Sequence, residues 1–130
     1  MAVTHSTTAR NAATDAVTAL IGASGKLVFH TSPSNVGTPG TVVATLPLSA
    51  TAFAAASGGV ATANAITSDT NAAGNASPVA FASLQTSGSS VIIHCAVAAS
   101  ASDINMSNGL TVATGDTVSC SSLTYTAMGS

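Results

Sequence analysis

Charge is what this 130-residue sequence has least of: two Lys or Arg and four Asp or Glu, the four all Asp. A free cytosolic domain keeps about a quarter of its residues charged, and net charge is what holds such domains apart in solution. A formal net charge of −2 gives this chain little with which to repel a neighbour. Its surface has to be built from Ser, Thr, Gly, Asn and Ala. These side chains lose little rotamer entropy when ordered and can lie flat against another copy or another protein. The composition points to a subunit of an assembly.

Other scarcities exclude whole classes of function. Arg10 and Lys26 are the only Lys or Arg residues, so the clustered bases that bind nucleic-acid phosphates are missing. No run reaches the roughly 18 apolar residues a membrane helix needs. The opening residues MAVTHSTTAR carry no basic segment followed by an apolar one, so the sequence predicts synthesis in a cytoplasm without a secretory signal. Phe29, Phe53, Phe81 and Tyr125 are the only large rings, which leaves Val, Ile, Leu and Ala to form the core and predicts that all four rings are buried in it.

What is present begins with a helix. Over Thr7 to Ile21, Ala9, Ala12, Ala13, Ala16, Val17, Leu20 and Ile21 recur at helical spacing, one apolar stripe expected to pack against a sheet or a neighbouring subunit. Ser6, Thr7 or Thr8 can cap its start and Gly22 can close its end.

From Lys26 onward the spacing becomes strand-like. Strands are predicted at Lys26 to Thr31, Thr41 to Leu46 (stopped by Pro47), Phe53 to Ala56, Val60 to Thr67, Val79 to Thr86, Val91 to Ala98, Leu110 to Ala113 and Thr117 to Thr126. Both faces of Val91 to Ala98 are largely apolar, which predicts a central strand. Together these segments predict one domain over 1–130, with a tail at 1–6, a helix at 7–21 and a β-domain at 26–126. The fold class is mainly β: an antiparallel sandwich or barrel of jelly-roll type with one N-terminal α-helix.

No spacing of reactive residues singles out a reaction. GASGK at 22–26 has the ending of a phosphate-binding loop, but Leu20 stands where that motif needs Gly, Leu27 where it needs Ser or Thr, and the helix precedes the strand. His5, His30 and His94 fall on a tail and two separate strands, not at the paired spacing of a zinc site; each reads as a partly exposed neutral histidine. Asp15, Asp69, Asp103 and Asp116 lie in the helix and in turn-like segments, where Asp closes the backbone more often than it catalyses. No metal or cofactor is implied. Cys95 and Cys120 sit among aliphatic strand neighbours and read as buried free thiols, the alternative being a disulfide formed after release from a reducing cell. Asn75-Ala76-Ser77 and Asn105-Met106-Ser107 match the glycosylation triplet, which carries no weight without secretion.

The succession ARNAATDAVTALI, GKLVFHTS, TVVATLPL, FAAASGGVATANAITSDTNAAGNA, SASDINMS and GDTVS, spread over residues 9 to 126, resembles small, mostly β virion proteins of tailed bacteriophages. The resemblance is a pattern of segments and transfers no site residue. It implies a non-enzymatic virion subunit that decorates or cements the capsid or the head-tail neck and collar, its partners being other copies of itself and other virion proteins. The alternative is a receptor- or carbohydrate-binding β-module of a tail or fibre; the shortage of rings and acids weighs against it.

Overall fold

The structure, a computed structural model, describes residues 3–32, 35–106 and 109–127. Its order is α1 (Thr7–Ala19), β1 (Lys26–Thr31), β2 (Val42–Pro47), β3 (Val60–Thr62), β4 (Val79–Gln85), β5 (Val91–Ala98), β6 (Ile104–Asn105) and β7 (Thr124–Thr126). This is a mainly β fold with one N-terminal helix. Five strands form one sheet in the order β2-β1-β4-β5-β6, and β3 pairs with β7 in a second. The larger sheet is antiparallel except at its end, where β6 joins β5 in parallel.

Each element can be traced to local chemistry. Ser6 caps α1 in extended conformation, its hydroxyl accepting from the Ala9 amide at 3.1 Å. At the other end the Leu20, Ile21 and Gly22 amides reach back only three residues, to Val17, Thr18 and Ala19. The last turn is thereby tightened and the regular helix ends at Ala19, two residues before the expected Ile21. Gly22 then turns the chain at φ +70°. Gly25 follows, a position where a Cβ would run into the Ile21 side chain.

Lys26–Thr31 forms as predicted and is an interior strand: paired on both sides, with Leu27, Val28, Phe29, His30 and Thr31 all buried. Leu27 and Phe29 lie among the core residues with Leu46, Leu84 and Ala82 from the same sheet, Ala61 from the smaller one and Leu123 from beside it. Both sheets therefore share a single core. Of the four rings, Phe29 and Phe53 are buried while Phe81 and Tyr125 are half-buried.

Several predicted strands are shorter or absent. Pro47 is the last residue of β2, opposite Lys26, not the residue beyond it. The Phe53 to Ala56 segment contributes one bridge, Phe53 with Ala63, and beyond Thr62 the next segment is held by another, Leu48 with Ile66. Leu110 to Ala113 forms no strand; its Leu110 and Val112 carbonyls accept from Val79 and Asn75 singly. Of Thr117 to Thr126, only Thr124–Thr126 is a strand, with Val118 bridging Asp69. In each case the alternation is real but the neighbouring chain meets it at one or two points only.

The strand Val91–Ala98 has its predicted limits but is not central. It lies between β4 and a two-residue strand, and from Val91 to Cys95 it is half-buried. β1 and β4 take the interior place because their polar residues satisfy one another.

Candidate functional site

A buried polar cluster lies on the β1–β4 ladder. His30, Ser83 and Gln85 are all inside, His30 and Ser83 with no exposed surface. His30 Nδ1 stands 3.0 Å from the Gly40 carbonyl, which can only accept, so Nδ1 carries the proton. Nε2 is then an acceptor, and the Ser83 hydroxyl donates to it at 2.7 Å. Gln85 Nε2 donates to the same hydroxyl at 2.8 Å. Burial holds the His30 pKa below its usual 6.5; the Gly40 carbonyl opposes this and His94 adds to it. A serine donating to a histidine anchored by a carbonyl has the connectivity of an activated nucleophile. Here, however, the hydroxyl oxygen is enclosed on its own ladder, and a substrate carbon could not approach it. The arrangement holds strands together. His30 thus departs from the expected partly exposed histidine, while His5 is exposed and His94 half-buried, its ring 5.1 Å from that of Phe81.

The four carboxylates also brace backbone. Asp15 accepts from the Ala56 amide at 2.8 Å, Asp69 from Thr45 at 2.9 Å and Asn71 at 3.0 Å, Asp103 from Ala96 at 3.0 Å, and Asp116 from Ala113 at 2.9 Å. Asn75 similarly takes the Ser77 amide at 2.8 Å, so its triplet forms a turn. Among the described residues no three His, Cys or Asp side chains gather as a metal-sized group.

The helix meets the rest of the chain by the face opposite its apolar stripe. Its inward face is polar. The Thr14 hydroxyl, completely buried, donates to the Gly59 carbonyl at 2.8 Å and accepts from the Ala127 amide at 3.1 Å. Asn11 accepts from the Gly59 amide at 2.7 Å, and Arg10 Nη1 donates to the Gly58 carbonyl at 3.2 Å. These groups clasp a tight turn whose two glycines have positive φ and whose own amides and carbonyls would otherwise be orphaned. The stripe expected to pack against a sheet or a neighbouring subunit faces outward, so it does not pack against a sheet of this chain. Ala9, Ala12 and Ala16 are exposed, Ala13 and Val17 half-exposed, and Leu20 is 62% exposed; only Ile21, beyond the helix, is buried. The periodicity located the helix; of the two packings expected for its stripe, the one against this chain's own sheet does not occur, because backbone satisfaction outweighs alanine burial.

A cleft of about 590 Å³ opens between β6 and the chain over 109–124. Asp103, Asp116, Thr117, Ser119, Cys120 and Thr124 contribute to its lining, and its one ring, Phe29, is 3% exposed and closed to stacking. Cys95 and Cys120 are both free and half-buried. Burial pushes the Cys95 thiol up to about 11, with Asp103 adding to the effect. Cys120 is also raised by burial, although a backbone hydrogen bond with Ser122 opposes the shift.

Among the described residues no helix is long and apolar enough to cross a membrane. No family model matches the sequence, and no curated protein or solved structure matches it significantly.

Proposed function

We propose that this chain is a non-enzymatic structural subunit of a tailed-phage virion, decorating or cementing the capsid or the head-tail neck through contacts with other copies and other virion proteins. The observation that supports this most is the outward Ala9–Leu20 stripe on a chain with almost no charge. An alanine-rich face lets a neighbour approach closely, and little hydration has to be stripped from it. The enclosed His30–Ser83 pair fits the same reading, since the connectivity that most resembles catalysis has no open approach. The carbohydrate-binding alternative has less support, because the cleft offers hydroxyls and carboxylates but no accessible ring.

Particles assembled with tagged chain carrying Ala12→Glu or Ala16→Glu test the reading. The variants should fold normally and fail to join the particle. Absence of the unaltered chain from purified particles overturns it.

A further inference from the structure

We propose that α1 is a releasable arm: Thr7–Ala19 undocks and unfolds as one unit while the β-domain, anchored at Ile21, stays folded. The inference goes beyond the assembly reading and does not depend on it.

The underside of the helix carries the argument. Only Thr14 and Thr18 of Thr7–Ala19 are buried, and no apolar side chain of that span belongs to the core. The core begins at Ile21. Burial of an apolar face is what ordinarily fixes a helix to its domain, and here that burial starts only where the regular helix has ended. Drawing α1 away takes no apolar group out of the core.

Polar contacts with two short stretches of chain hold the helix instead. Asp15 takes the Ala56 amide, Asn11 takes the Gly59 amide and Arg10 Nη1 donates to the Gly58 carbonyl, while Thr14 bridges the Gly59 carbonyl and the Ala127 amide. On release each bond is exchanged for one to water, so each contributes little net. One group opposes docking outright. Arg10 Nε is buried without a hydrogen-bond partner, and undocking returns it to water. A helix of 13 residues is marginal on its own, so an undocked α1 also melts and gains chain entropy.

The joint lies at Leu20. Gly22 has φ +70° and open space where a Cβ would stand, whereas Gly25 fits so closely that a Cβ would strike the Ile21 side chain. Ile21 is thereby clamped between the core and Gly25, and the residues before it can leave without moving it. Release uncovers the Gly58–Gly59 turn together with β3 and β7, the strands on which α1 rests. An element with few buried apolar contacts belongs at the low end of local stability and opens before the sheet does.

Amide exchange of the purified full chain, followed residue by residue by NMR and repeated in dilute urea, tests this. The Thr14 to Ala19 amides, with those of Ala56 and Gly59, should exchange through one common opening. Relative to their unfolded rates they should exchange about thirtyfold or more faster than the Leu27 to Phe29 amides. Urea should barely change the α1 rates, since that opening exposes little surface, and should speed the β1 amides steeply. Leu84→Ala weakens the core; it should speed the β1 amides about tenfold or more and leave the α1 amides within about twofold. Val43→Ala makes the same comparison more gently if Leu84→Ala does not fold. Rates in α1 that match those in β1, or that rise by the same factor in a core variant, mean that α1 opens only with the whole fold and overturn the proposal. So do α1 amides that exchange one by one from the N-terminal end, which is fraying, or protection of Ala56 and Gly59 that outlasts that of α1.

Discussion

The Ser83 hydroxyl donates to His30 Nε2 at 2.7 Å, and the bond runs in this direction only while His30 is neutral. A proton on Nε2 would make the Ser83 oxygen the acceptor from both His30 and Gln85 and turn its own proton out of the His30 bond, at a site with no exposed surface.

Stability should therefore depend on pH in one direction. His30 has a folded pKa below its ordinary 6.5, so the unfolded chain takes up the proton first as pH falls. The contribution is complete above pH 6.5, erodes below it and levels off beneath the folded value. Urea unfolding across a pH series should show this decline, and His30→Gln should flatten it while lowering stability by about 1–3 kcal/mol through the disrupted partners. A His30→Gln profile that falls as steeply as the parent's would assign the effect elsewhere.

On α1 the two faces should respond oppositely to substitution. Thr14→Val leaves the Gly59 carbonyl and Ala127 amide without their buried partner, at a cost of about 2–4 kcal/mol for two orphaned groups. Ala12→Glu and Ala16→Glu, on the exposed face, should change stability by no more than about 0.5 kcal/mol. Thermal melts of the three variants decide it, and a collapse of Ala16→Glu would restore the stripe to the core.

This helix also marks how far the sequence could be read. Spacing located α1, β1, β4 and β5 almost to the residue, because each carries a sustained period or a dense apolar run. The inner face of α1 was not legible: Asn11, Thr14 and Asp15 look like a solvent face until the Ala56–Gly59 backbone they satisfy is in place. The interior rank of β4 was hidden for the same reason. Ser83 and Gln85 are polar, and only His30, 53 positions before Ser83, makes their burial possible. Apolarity likewise misplaced β5, since an uncharged edge strand and a central strand have the same composition. The roles of the four aspartates were legible, because a short carboxylate in a turn reaches little except the backbone.

Gly74 should tolerate no side chain. It adopts φ +71°, and a Cβ there would meet the Thr114 amide and the Ala113 carbonyl carbon, which are main-chain atoms with nowhere to move. Its amide also seals the β2 edge through Val43. Gly74→Ala combines left-handed strain of about 1–2 kcal/mol with the displacement of the 112–116 segment. It should lower the melting temperature far more than Gly22→Ala, where φ is similar but nothing lies within 4 Å. Equal melting temperatures for the two would mean that the 112–116 segment yields freely.

The cysteines should behave as slow thiols. Cys95, pushed up to about 11, has on the order of one thiolate per thousand at pH 8, and Cys120 is raised as well. Reaction with an aromatic disulfide reagent should run far more slowly in the native chain than in urea, with Cys95 the slower of the two. Both pKa shifts arise first from burial, so unfolding should remove the difference between the sites. Non-reducing mass analysis of the assembled protein should show free thiols, since few thiolates are present to attack an oxidant or a mixed disulfide. A quantitative cross-link between chains through either residue would show instead that assembly exposes and activates the thiol, and would make oxidation a step of maturation.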